Sequence, residues 1–212
     1  MTPVNPLASD GGPRVLMERL REGTRSLHTR VETSVDLMGR CSTLDGYRGL
    51  LVRMLGLYIP LEAALGRLDW HGTAIDLEER SKLRLLRADL AALGGPDHVP
   101  SPTVVPHLPT LAAGFGCLYV LEGSTLGGQL ILRHVSASLG VGAAGGASFF
   151  ASYGPRLGAM WQSFGRAATA HCEDAPRIEE ATSAAIATFE SFEGWLGSAA
   201  SASLPDHRDG AP

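Results

Sequence analysis

A histidine with a carboxylate one helical turn away, and three glycines inside an apolar run, are the residues here whose types and spacing could do chemistry. Arg21, Thr24, His28 and Glu32 follow one another at steps of three and four, which puts all four on one face of a helix. A carboxylate at i+4 can accept the Nδ1 proton of His28 and so present a neutral Nε2 to a metal. His28 stands between Leu27 and Val31, so partial burial is expected. Arg21 and Thr24 could receive a carboxylate group of a ligand. Each residue also has a plainer reading. A helical histidine is commonly structural or exposed, and Glu32 and Arg21 could be solvated helix charges.

The second feature is Leu121-Glu122-Gly123-Ser124-Thr125-Leu126-Gly127-Gly128-Gln129. Each glycine inside a helix costs about 1 kcal/mol relative to alanine. Three therefore give up roughly 3 kcal/mol, a large share of a folding stability of about 5–15 kcal/mol. Tight helix packing, or a helix end at Gly123, would account for them. So would a flat ligand lying against bare backbone, where a Cβ would intrude. Apolar flanks on both sides suit a ligand pocket.

These residues must be positioned by helices. From Pro13 to about Leu37, Leu16, Leu20, Leu27 and Val31 fall at helical spacing. A second helix, capped by Thr43 or Asp45, runs to about Leu68, with Pro60 inside it predicting a kink. A third follows Thr73 through Ile75, Leu77, Leu83, Leu86 and Leu90, stopped by Gly94-Gly95-Pro96. Leu108 to Leu139 is apolar on most faces and predicts a central buried helix. Gly140 to Gly146 reads as a loop, and further helices are expected from about Pro155 to His171 and from about Pro176. No stretch alternates with period two for long. The expectation is an all-α single domain over 13–200, with flexible tails at 1–12 and 201–212.

The 212 residues, 44% apolar and 19% charged, suit one globular domain. A net charge of −4 argues against a nucleic-acid partner. No apolar run reaches the ~20 residues that span a bilayer, and Met1 to Pro13 does not read as a signal peptide. Cys41, Cys117 and Cys172 form no CxxC pair, so reduced thiols and a cytoplasmic location are expected. Gly140-Val141-Gly142-Ala143-Ala144-Gly145 matches G-x-G-x-x-G, but it follows a helix and not a strand, so a dinucleotide reading fails.

Leu20 to Glu32 resembles the proximal helix of the heme oxygenase family, and Gly123 to Gln129 its kinked distal helix. The spelling of the second motif is most like the bacterial branch that accompanies bacteriophytochromes. The resemblance covers roughly Pro13 to Ser198, with Tyr153-Gly154, Trp161, Phe164, Phe189, Phe192, Trp195 and Leu196 as its closing pattern. It implies heme sandwiched between the two helices, with His28 as the iron ligand and Glu32 behind it. Gly123 and Gly127 would bend the distal helix over the open heme face, with Gly128 beside them. Arg21 and Arg166 would pair the propionates, although Arg166 could equally be a surface residue; Tyr119 falls one position from a propionate-side tyrosine.

The implied activity is cleavage of heme to biliverdin with release of CO and ferrous iron. It uses O2 and electrons from a ferredoxin-like or reductase donor. Arg14, Arg19, Arg25 and Arg30 could form part of the donor's docking face. A bacteriophytochrome is the implied acceptor of the bilin. One departure stands out: many members carry an aspartate directly after the first distal glycine, and here that position is Ser124, which makes weaker bonds to water. Two alternatives remain at this point. One is a heme-binding carrier or sensor of the same fold, and the other a cofactor-salvage hydrolase built around Cys117.

Overall fold

The computed structural model describes residues 15–96, 98–102 and 104–197. The two expected tails lie outside them. Among the described residues there are nine α-helices, one 3-10 turn and no strand, so the all-α expectation holds.

Helix α1 (Val15–Val35) buries Leu16, Leu20, Thr24, Leu27 and Val35 along one stripe. It ends at Asp36, whose positive φ of 44° breaks the chain before the short α2 (Leu37–Arg40). Thr43 caps α3 (Leu44–Leu65) by accepting from the Gly46 amide at 3.1 Å. The single helix expected after Thr73 is instead two, α4 (Leu77–Arg80) and α5 (Leu83–Ala92). The interruption has a cause. The Glu62 carboxylate of α3 accepts from the Ser81 hydroxyl at 2.6 Å and the Lys82 amide at 2.7 Å, replacing helical partners at that point.

Helix α6 (Leu111–Leu139) starts on the Thr110 cap and ends at Gly140, whose φ of 69° suits a residue without Cβ. It runs unbroken through the glycines. The expectation that no apolar run reaches membrane-spanning length is corrected by α6, which qualifies by length and composition. Yet 56% of its apolar window is buried in the protein, as in a core helix. The short α7 (Ser148–Ala151) was not expected. Buried Asp89 holds it, accepting from the Ser148 and Phe149 amides, both at 2.8 Å. After a 3-10 turn at Gly154–Arg156, α8 (Leu157–His171) and α9 (Ala175–Gly197) complete the fold.

The core is built on α9, which packs along both α1 and α6. Helices α6 and α9 approach closely enough that a Cβ on Gly116 would lie 2.0 Å from the Ala181 carbonyl oxygen. Backbone cannot move aside as a side-chain tip can. The three cysteines are buried in this core, and burial pushes the thiols of Cys41 and Cys172 up to about 11 and that of Cys117 up to about 12.

Two outcomes are expected. Gly116→Ala should lower stability by about 2 kcal/mol or more in urea denaturation, because overpacking against backbone has no relief. The second concerns pH. The folded protein holds the thiol protons more tightly than the unfolded chain, so their contribution is complete below pH 9 and is lost as pH rises through 9 toward 11–12. Lys82, lowered to about 8, works in the opposite sense, but as one group against three. The urea midpoint should therefore hold from pH 6 to 8 and fall above pH 9.

Candidate active site

Tyr119 of α6 stands close to Thr24 and to the charge of Arg21 on α1. Burial pushes the Tyr119 phenol up despite both neighbours. Thr24 is itself buried and donates to the Leu20 carbonyl at 2.7 Å. Arg21, Thr24 and Tyr119 are thus brought together, which the one-position offset of Tyr119 did not suggest. One turn beyond this contact stand His28 on α1 and Gly123 on α6.

Partial burial of His28 is corrected: its side chain is 59% exposed. Leu27 takes the inward position, 5% exposed, and the next residue turns about 100° away from the core. The imidazole packs edge-on against Phe189 of α9 with ring centroids 5.9 Å apart. Its Nδ1 faces the Glu32 carboxylate at 3.5 Å. That leaves Nε2, the nitrogen on the other side of the ring, directed away from the carboxylate.

The three glycines divide. A Cβ on Gly128 would sit 3.3 Å from the carbonyl oxygen and a ring carbon of Phe150, so this glycine is accounted for by packing on α7. Gly127 is exposed, and a Cβ there would meet nothing within 4 Å among the described residues. On Gly123 the added atom would make only an ordinary contact with Trp161, at 3.9 Å. Tight packing therefore explains neither of these two. They share a helix face with Leu126 and Leu130, which are 41% and 59% exposed. An apolar, Cβ-poor face is left open to solvent.

Ser124 turns toward α3. Its hydroxyl donates to the Leu121 carbonyl at 2.8 Å and lies 3.0 Å from the hydroxyl of buried Tyr58. With its only proton so engaged, Ser124 accepts from Tyr58 and has one lone pair left. Phe149 and Phe192 pack edge-on against Tyr58, at 5.4 and 6.1 Å.

Sequence reasoning missed a buried charge cluster behind the glycine face. Arg80 donates to Glu122 at 2.8 Å, with side chains 3% and 2% exposed. The Tyr153 hydroxyl donates to the other Glu122 oxygen at 2.6 Å. Lys82 lies 4.0 Å from that oxygen and 3.7 Å from the centre of the Tyr153 ring. Burial lowers Lys82 to about 8 against the pull of Glu122. A cavity of about 210 Å³ is bordered by this cluster, Tyr58 and Glu62. One signal could have found it: Glu122 is the only charged residue from Leu111 to Leu132, and a lone charge in an apolar run needs partners.

Other expected residues lie apart. Arg166 is exposed and borders a cleft with Leu16 and Met17, about 16 Å along α1 from His28 at 1.5 Å per residue. Of the α1 arginines, Arg30 is ion-paired with Glu193 of α9, and Arg14 is outside the described residues. Cys117 is fully buried and burial holds it as a thiol, which removes the chemical basis of a hydrolase built on it.

A sequence model of the heme oxygenase family matches residues 14–198. Comparison with curated protein sequences finds no match. Among solved structures, the NO- and CO-bound heme oxygenase of Neisseria meningitidis is similar at 22% identity with a TM-score of 0.74, covering 91% of this chain and 97% of that one. The heme oxygenase of Leptospira interrogans is 19% identical with a TM-score of 0.70, over 86% and 98%. Heme oxygenase-1 of the cyanobacterium Synechocystis, in complex with heme, is 17% identical with a TM-score of 0.67, over 86% and 91%. At these identities the likeness carries the fold. The family follows from the sequence match, which takes in both the His28 helix and the glycine segment: the chain belongs to the heme oxygenase family.

Proposed function

We propose that this protein is a heme oxygenase that binds heme between α1 and α6 and opens it to biliverdin. The single observation carrying the reading is Gly127, a glycine that weakens an exposed helix face while no neighbour requires it. A flat ligand seated on that face supplies the missing reason. Heme fits the residues present. Gly123, Leu126, Gly127 and Leu130 offer an apolar surface, His28 offers Nε2, and Arg21 offers donors to a carboxylate at the rim.

When bound, heme supplies the iron at which oxygen is activated and is itself the ring that is opened, releasing CO and ferrous iron. The chain does the rest. Glu32 orients the His28 ring. The glycine backbone limits the space over the open face and keeps bulky groups out. Tyr58 directs its proton into Ser124, which can accept from one further donor such as an ordered water. Electrons come from an external ferredoxin-like or reductase donor, for which exposed Arg19 and Arg25 offer positive charge. We further infer a cytoplasmic location and a role in supplying bilin to a bacteriophytochrome, on the spelling of the glycine motif.

A non-catalytic heme carrier is the second reading, favoured by one observation: the Ser124 proton is committed to Leu121 and there is no carboxylate at this position. The purified protein should take up hemin stoichiometrically. With a reductant and oxygen, its Soret band should bleach as bilin appears on chromatography; an intact Soret band under those conditions supports the carrier. His28→Ala should abolish turnover while the far-ultraviolet dichroism stays the same, and undiminished bilin would overturn the assignment. Gly127→Ala should leave stability unchanged or raise it by up to about 1 kcal/mol, yet weaken hemin binding in a titration.

A further inference from the structure

Glu122 is gripped entirely from outside its own helix. Arg80 comes from the end of α4, Lys82 from the link to α5, and Tyr153 from the turn after α7. Arg80 also reaches Ser163 of α8 at 3.3 Å, and the Lys82 ammonium donates to the Arg80 carbonyl at 2.9 Å. The grip is costly. Ser152, the residue before Tyr153, has φ 49° and ψ −116°, a backbone region that residues with a Cβ rarely adopt. Its hydroxyl is buried without a hydrogen-bond partner among the described residues. Such costs persist where the surroundings over-determine a geometry. Stability alone does not call for the cluster, since well-packed apolar residues commonly replace a buried ion pair without loss. Directional bonds add something apolar packing does not, a single position for the group they hold.

The residues that follow are weak helix formers. Gly123 begins the glycine segment, and the hydroxyls of Ser124 and Thr125 occupy the carbonyls of Leu121 and Glu122 at 2.8 and 2.6 Å. Back-bonding of this kind bends helices. Up to Glu122 α6 is buried almost throughout; beyond it Leu126, Gly127 and Leu130 are exposed. Glu122 therefore stands at the end of the continuously buried part of α6, next to the open face.

We propose that Glu122, held by Arg80, Lys82 and Tyr153, is a positioning residue that fixes where Ser124 and the Gly123–Gly127 backbone stand on the ligand side of α6. The role toward heme rests on the function proposed above; the anchoring of the segment does not.

The test uses the full chain with Tyr153→Phe, which removes one hydroxyl from the cluster, and Glu122→Gln. In the heme-free protein, amide hydrogen exchange across residues 121–130 should rise about tenfold or more in Tyr153→Phe, with α1 and α9 within about twofold of the parent. With heme bound, affinity should stay within about threefold, because His28 is on another helix, while the spin-state balance of the ferric absorption spectrum shifts. Exchange that rises equally in all helices would reduce the cluster to general stability and overturn the proposal. So would an unchanged 121–130 segment, or an unshifted ferric spectrum beside raised exchange. Should Glu122→Gln fail to fold, Tyr153→Phe decides the matter. Should the parent protein take up no hemin, the proposed function falls, while the heme-free exchange still decides whether Glu122 anchors the segment.

Discussion

The arrangement depends on the close approach of α6 to α9 at Gly116 and Ala181, where backbone meets backbone. Because α9 also carries α1 along its length, the separation between His28 and the glycine face is set by a shared platform. Phe189 under His28 and Phe192 against Tyr58 are one turn apart on α9. A single helix thereby indexes both sides of the candidate site. The approach of Tyr119 on α6 to Thr24 on α1 links the two helices directly as well.

That platform makes the glycine segment intelligible. A helix containing Gly123, Gly127 and Gly128 is weak by its own propensity, and α6 stays continuous because its flanks are held from several directions. Gly128 is packed on α7, which Asp89 fixes, and Gln129 donates to the Phe150 carbonyl at 3.1 Å. Glu122 is held by three other parts of the chain. Breaking such a buried pair by removing one partner typically costs about 3–5 kcal/mol, comparable with what the three glycines give up. Rigidity is imported from neighbours so that one face of α6 can remain bare.

The replacement of a carboxylate by Ser124 acquires a definite meaning in this setting. The hydroxyl is saturated on its donor side by Leu121 and receives a proton from Tyr58. Any ordered water at this position would donate to Ser124 and not the reverse. Burial pushes the Tyr58 phenol up, so it stays a donor across the working pH range. Polar character beside the glycine segment is therefore supplied jointly by α3 and α6, where an aspartate would have supplied it from one residue.

Much of this was legible in the sequence. Helical periodicity located most of the long helices, since an apolar stripe at steps of three and four can be buried in only one way. The turn spacing of His28 and Glu32 placed the pair correctly, because i and i+4 are neighbours in any helix. Whether a residue faces the core or a gap is not local: His28 proved exposed because Leu27 took the buried position. The division of the helix after Thr73 was hidden because its cause, Glu62, lies some twenty residues away in sequence. The same holds for the Glu122 cluster, assembled from Arg80, Lys82 and Tyr153, and for Gly128, whose neighbour Phe150 belongs to a helix too short to show a period. The sequence by itself determined helices, the imidazole–carboxylate pair and a glycine-weakened stretch, since these follow from residue type and spacing. Only the tertiary structure decided which glycine packs and which stays bare, and which charges meet, because those depend on side chains brought together from distant parts of the chain.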